Sequence, residues 1–248
     1  TMGIIDQLKT EMQTRFGVSP DTVRIVRSPY RICPLGAHID HQLGPVTAMA
    51  IDQAVHLAYV PSGSAEIRLQ SLAFDNEVRF SLDAIPPKQD GDWGNFPRGA
   101  VQALQQNHIL TEGLIGLTAG NVSAGGLSSS AAIGVAYLFA LEDINDLTVT
   151  PEDNIRLDQA IENGYLGLKN GILDQSAILL SRKDHLTLID CEAVTHQLIP
   201  KSDTLSPFTL IIAESGLRQA LVTTGYNTRV DECAEAATTL LKAAGRPD

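Results

Sequence analysis

"NVSAGGLSSSAAIGVAYLFAL" runs from Asn121 to Leu141, directly after the short apolar stretch "GLIGLTAGN". The order is strand, turn of small residues, then apolar helix. The first-turn N–H groups of a helix have no intrahelical acceptor, and the helix dipole adds partial positive charge at that end. Gly125 and Gly126 let an anion approach the backbone without Cβ clashes. Leu127 follows, and Ser128, Ser129 and Ser130 add hydroxyl groups before Ala131. The plain reading is a tight turn with an N-cap. The sharper one is a seat for phosphate spanning Gly125 to Ala131. No Gly-Lys-Ser/Thr follows, so this is not a Walker A loop.

Outward from this loop, the chain alternates strand and helix signals. Ile4, Ile5, Leu8, Met12 and Phe16 have helical spacing. "TVRIVRSPYRI" predicts a strand bounded by Pro29, and "VTAMAIDQAVHLAYVPSG" a second one that ends in a turn. "AEIRLQSLAFDNEVRFSL" alternates as a hairpin would, and "SLDAIPPKQDGDWGNFP" reads as loop. Helices are expected over "PRGAVQALQQNH", Leu127–Leu141 and "PEDNIRLDQAIENGYLGL", with Pro151 opening the last. "DHLTLIDC" and "FTLIIAES" predict strands, and "NTRVDECAEAATTLLKAAG" a final amphipathic helix. The pattern is α+β. A domain break is expected near Pro200–Pro207, dividing 1–204 from 205–248.

The chain has 248 residues with a net charge of −11. That balance counts against a general nucleic-acid binder, which needs a basic face. A small anionic ligand remains compatible, because a pocket can oppose the global field. Cys33, Cys191 and Cys233 are scattered without metal-ligand spacing, as expected of a reduced, cytoplasmic protein. No apolar run reaches the ~18 residues of a membrane helix.

"GLSSSAA" resembles the second motif of the GHMP kinases, although Val122 and Ser123 replace its usual proline region. "SPYRICPLGAHIDHQLGPV" (Ser28–Val46) resembles the galactokinase signature: Pro29, Arg31, Leu35, Gly36, His38 and Asp40 match in order without gaps. "IENGYLGLKNGILDQSAI" resembles the galactokinase stretch in which a glutamate precedes an Asp-Gln pair, here Glu162 and Asp174. The resemblance implies a GHMP kinase fold, with an N-terminal ribosomal-S5-domain-2-like domain and a ferredoxin-like domain after it. It implies ATP and Mg²⁺ as cofactors, and a small sugar rather than nucleic acid or membrane as partner. Asp174 takes, or electrostatically prepares, the proton of the anomeric hydroxyl. Arg31 stabilises charge on the transferred phosphoryl group. By the resemblance, Ser130 and Glu162 are expected to hold the metal. The same resemblance implies that His38 and Asp40 line the sugar site, as does Tyr226 in "ESGLRQALVTTGYNTRVDEC".

Two departures from the galactokinase pattern carry information. Ala37 stands where galactokinases have a glutamate facing the sugar C6 hydroxyl, and Tyr30 replaces a glycine. A glutamate there would repel a substrate whose C6 is a carboxylate, at a cost of several kcal/mol once desolvated. Ala37 removes that repulsion, and "PYRICPLGAHIDH" resembles the galacturonokinase form of the motif. The expected reaction is therefore phosphorylation of D-galacturonate at C1. The C6 carboxylate needs a cation, for which Arg98, Lys169 and Arg27 are candidates; Tyr30 is a further substrate contact. Galactokinase activity is the nearest rival, followed by a non-catalytic sugar sensor and an RNA-binding use of the same fold. The third glycine-rich motif of GHMP kinases is not found, so the chain is expected to be part of a longer one.

Overall fold

The computed structural model describes residues 3–120, 126–213 and 225–246. Helix α1 (Ile4–Phe16) leads into β1 (Arg24–Leu35) and the long β2 (Val46–Pro61). The hairpin β3 (Glu66–Ser71) and β4 (Val78–Ser81) follows, then α2 (Asn95–Gln105) and β5 (Leu114–Ala119). After the Gly/Ser loop come α3 (Ser129–Ile144), α4 (Pro151–Gln159), a π turn (Ala160–Tyr165) and α5 (Leu173–Leu180). Strands β6 (His185–Asp190) and β7 (Thr195–Pro200) precede α6 (Tyr226–Ala243).

The strands form one sheet, ordered β4-β3-β5-β2-β6-β7, with β1 on β2. β2 organises it: β1 runs antiparallel along one edge, while the other edge is shared between β5 at its C-terminal half and β6 at its N-terminal half. Two-residue periodicity then assigns the faces. Leu57 and Tyr59 pack into the core under α2 and α3, whereas Ala58 and Val60 pack with Leu8 and Met12 of α1 on the opposite face. Helix α3 is apolar nearly all round, as a helix enclosed on most sides must be.

Two expectations are corrected. β1 continues through Pro29 to Leu35, with register shifts at Pro29/Arg31 and Ile32/Leu35. A proline is tolerated because β1 pairs with β2 alone and so has an open edge. In the predicted strand "FTLIIAES", residues 208–213 have no regular structure, and Phe208, Leu210 and Ile211 are exposed. A strand needs a neighbour to accept its hydrogen bonds, and none of the described residues supplies one. Glu214 and Ser215 lie outside the described residues. Conversely, β7 is formed by "THQLIP", a polar edge strand without a sequence signal strong enough to announce it.

Candidate active site

Arg31 sits beyond the first irregularity of β1 and bonds three ways. Its main-chain N–H donates to the Leu127 carbonyl at 3.2 Å, and Nη1 donates to the Gly126 carbonyl at 2.9 Å. Nε and Nη2 reach Asp174 Oδ1 at 2.8 and 2.7 Å. Asp174 lies in the first turn of α5. One arginine thus joins the Gly/Ser loop to the carboxylate predicted to work beside it. With side-chain exposures of 14% and 21%, the pair is partly shielded from water, which strengthens the interaction.

The loop turns sharply to meet α3. Gly126 has φ +83° and Ser128 has φ +60°, so the chain passes through the left-handed region just before the helix. Gly126, Ser128, Ser129 and Ser130 line the main cavity, and the Ser128 hydroxyl is buried without a partner among the described residues. Leu127 is half-buried and Ala131 is fully buried; neither side chain lines the cavity, so their part in a phosphate seat rests on backbone. Gly125 lies outside the described residues.

Asp40 is buried beside a short 3₁₀ turn, and its Oδ2 accepts the Leu173 N–H at 3.2 Å. Gly171 makes that approach possible: a Cβ there would stand 2.4 Å from Asp40 Oδ2. Ala37, His38, Asp40, Asp174 and Tyr226 all border the same cavity. The Tyr226 ring meets His41 edge-on at 6.0 Å. Its hydroxyl is pushed far above the usual phenol range by burial, with Asp40, Asp174 and Glu162 adding repulsion. Tyr30 is placed differently. It is 1% exposed and belongs to the core behind the site, not to the cavity wall, because its strand position points inward.

Glu162 rides on the π turn and is buried. Asn170 donates to its Oε2 at 2.7 Å, while Oε1 is buried without a partner among the described residues. Burial, reinforced by the Asp174 charge, raises the carboxyl to about 7, and the Asn170 amide and Ser130 hydroxyl offset part of that. An orphaned, desolvated carboxylate oxygen beside a serine hydroxyl suits a hard cation. Among the described residues no group of three or more His, Cys, Asp or Glu is placed to hold a metal. Mg²⁺ fits such a sparse set because substrate phosphates and water complete its shell.

The three cations suggested for a C6 carboxylate are committed elsewhere. Arg98 is buried against Asp92 at 2.6 Å, and Lys169 pairs with Asp231 at 2.5 Å over a smaller adjoining cavity. Arg27 donates to the Asp52 carbonyl. Sequence reasoning missed two features of the main cavity, which encloses about 1030 Å³. Phe74 and Trp93 stack at 6.1 Å with an interplanar angle of 12°, and Lys88 stands on the rim. Both come from segments read as hairpin turn and loop. The single tryptophan of the chain was the available signal.

Residues 95–182 match the GHMP kinases N terminal domain, and residues 11–61 match the galactokinase galactose-binding signature. The backbone superposes on the Lactococcus lactis galactokinase complexed with galactose with a TM-score of 0.86, at 25% identity, covering 97% of this chain and 62% of that one. Methanococcus jannaschii mevalonate kinase shares the fold with a TM-score of 0.60 at 21% identity, over 71% of this chain and 55% of that one. The chain carries GHMP kinase and galactokinase-like domains in a GHMP kinase fold. Within that family it is similar to the galacturonokinase of Arabidopsis thaliana, with 48% identity over 98% of this chain and 62% of the relative. A Roseiflexus galactokinase is 33% identical over 92% of the chain and 57% of its own length. The chain therefore spans about three fifths of the curated relatives it matches.

Proposed function

We propose that the chain is the N-terminal part of an ATP-dependent sugar kinase that phosphorylates D-galacturonate at C1. The Arg31–Asp174 pair, anchored to the Gly126 carbonyl, is the observation that carries the kinase reading. The sugar C1 hydroxyl hydrogen-bonds to Asp174, which receives its proton as the sugar oxygen attacks the γ-phosphorus. The bond from that phosphorus to the bridging oxygen of ADP breaks, giving galacturonate 1-phosphate, ADP and a proton. Arg31 spans both reactants and meets the charge that builds on the phosphoryl oxygens. The loop from Gly126 to Ala131 seats the phosphates, and Asp40 and Tyr226 orient the sugar. Ser130 and Glu162 would hold Mg²⁺, which when bound neutralises phosphate charge. The work is positioning and electrostatics. Residues from about 205 onward are assigned to a second, ferredoxin-like domain.

The uronate assignment rests on Ala37, which borders the cavity three residues before Asp40 and adds no negative charge. The identity to a plant galacturonokinase supports it. The galactose-bound structural relative favours galactose as the second reading. The test compares galacturonate, galactose and glucuronate as acceptors with ATP, in the chain and in a form extended to the length of its relatives. Preference for galacturonate is expected. Asp174→Asn should lower kcat by about 10²–10⁴-fold, and Ala37→Glu should shift preference toward galactose. A wild-type preference for galactose would overturn the uronate assignment. Binding of sugar without turnover in the extended form would instead identify a sensor.

A further inference from the structure

The main cavity has an imbalance of charge that the proposed reaction does not resolve. Asp40, Asp90, Asp92 and Asp174 border it; Arg98 neutralises Asp92, which leaves Asp40 and Asp90 without an ion pair among the described residues. Arg31 borders it too, but its charge is met by Asp174. A nucleoside triphosphate brings several further negative charges to this space.

Lys88 is the counterpart. It borders the cavity, and among the described residues no carboxylate forms an ion pair with it. Its Nζ donates to the Leu166 carbonyl at 2.6 Å. An ammonium has three donors, so two remain. An exposed lysine ordinarily swings freely in water; this one is held. Its loop is fixed on one side by the Tyr165 hydroxyl, which donates to the Pro86 carbonyl at 2.5 Å, and on the other by Asn95 Oδ1, which accepts the Gln89 N–H at 3.0 Å. Leu166 in turn donates its N–H to the Ile161 carbonyl at 2.9 Å, and Leu168 donates to that of Glu162 at 2.9 Å. The ammonium is therefore bound to the turn that carries Glu162.

We propose that Lys88 is a binding residue for the triphosphate chain of the nucleotide, keeping its bond to Leu166 and giving its other two N–H groups to phosphoryl oxygens. This rests on the nucleotide reading above. Phosphate is favoured over a sugar carboxylate because Lys88 is tied to the Glu162 turn, and because a polyanion gains more from an unneutralised cation.

The test uses this chain, titrated calorimetrically with ATP, adenosine and galacturonate at fixed salt with Mg²⁺ present. Lys88→Gln should weaken ATP at least tenfold, since one of the two charge-assisted hydrogen bonds alone is worth about that much, and leave adenosine and galacturonate unchanged. Lys88→Arg, which keeps the charge, should restore most of the ATP affinity and so separates binding from misfolding. Equal losses for ATP and adenosine would reduce Lys88 to a prop for Leu166 and overturn the inference. A loss confined to galacturonate would also overturn it and give the cation to the sugar. A wild-type chain that binds neither ATP nor adenosine would remove the nucleotide reading itself, and this inference with it.

Discussion

Gly171 is the residue at which one methyl group would reach furthest into the site. A Cβ there would lie 2.4 Å from Asp40 Oδ2, 2.5 Å from its Cγ and 2.6 Å from its carbonyl carbon, so Asp40 must move. Asp40 also accepts the Leu173 N–H, next to Asp174, and a displacement would be felt at both carboxylates. Gly171→Ala should cost on the order of a hundredfold in kcat/KM for the sugar, since a 1 Å misplacement has effects of that size. ATP affinity should be retained. Steady-state kinetics in the extended form decide it: unchanged sugar kinetics would mean that Asp40 does not touch the substrate. The glycine was visible in "NGILDQ", but its reason was not. That reason is a neighbour 131 positions earlier in the chain.

At the scale of elements, the close crossing of α3 and α4 holds the turn that carries Glu162 in place. Gly134 of α3 leaves room for Asp158 of α4: a Cβ at 134 would stand 2.1 Å from Asp158 Oδ1. Asp158 is fully buried, neither of its oxygens has a partner among the described residues, and its carboxyl is raised well above the usual range by burial and by the Glu162 and Asp174 charges. It precedes Glu162 by one helical repeat, so moving α4 moves the π turn. Gly134→Ala should improve helix propensity by ~1 kcal/mol yet destabilise the fold by a net ~1–3 kcal/mol through overpacking. Thermal unfolding would show this as a lower Tm. An unchanged Tm would mean that the two helices separate at little cost. The sequence pattern gave one helix from Pro151 to Leu168, whereas the structure ends α4 at Gln159 and continues as a π turn. Periodicity does not distinguish four-residue from five-residue hydrogen bonding, although π turns gather at functional sites.

For the whole molecule, a net charge of −11 and buried carboxyl groups make stability depend on pH. Glu142 is the clearest case. Burial raises its carboxyl from 4.5 to about 7, and the hydrogen bond from Asn154 at 3.3 Å offsets part of the rise. A carboxyl raised in the folded state binds its proton more tightly there than in the unfolded chain. Its stabilising contribution is complete below about pH 4.5 and is lost as pH climbs to about 7. The loss is on the order of 3 kcal/mol. Glu142→Gln should remove this part of the slope, so that the variant gains on the wild type between pH 5 and pH 8. Urea midpoints at the two pH values measure it, and parallel behaviour of the two proteins would show that Glu142 is ionised in the fold without penalty.

The sequence by itself indicated most of the elements and nominated the candidate site residues. Two-residue alternation marked the β3–β4 hairpin, glycines and serines marked the loop before α3, and the family motifs marked Arg31, Asp40, Glu162 and Asp174 as candidates. These signals are local, because backbone conformation and residue type are local properties. Only the tertiary structure decided that Arg98, Lys169 and Arg27 have their bonds elsewhere, that Tyr30 lies in the core, and that Lys88 borders the cavity with no ion pair among the described residues. It also decided that residues 208–213 form no strand. The reason is common to all of these. What a side chain or strand can do depends on which partners three-dimensional packing brings to it, and that packing joins residues far apart in the chain.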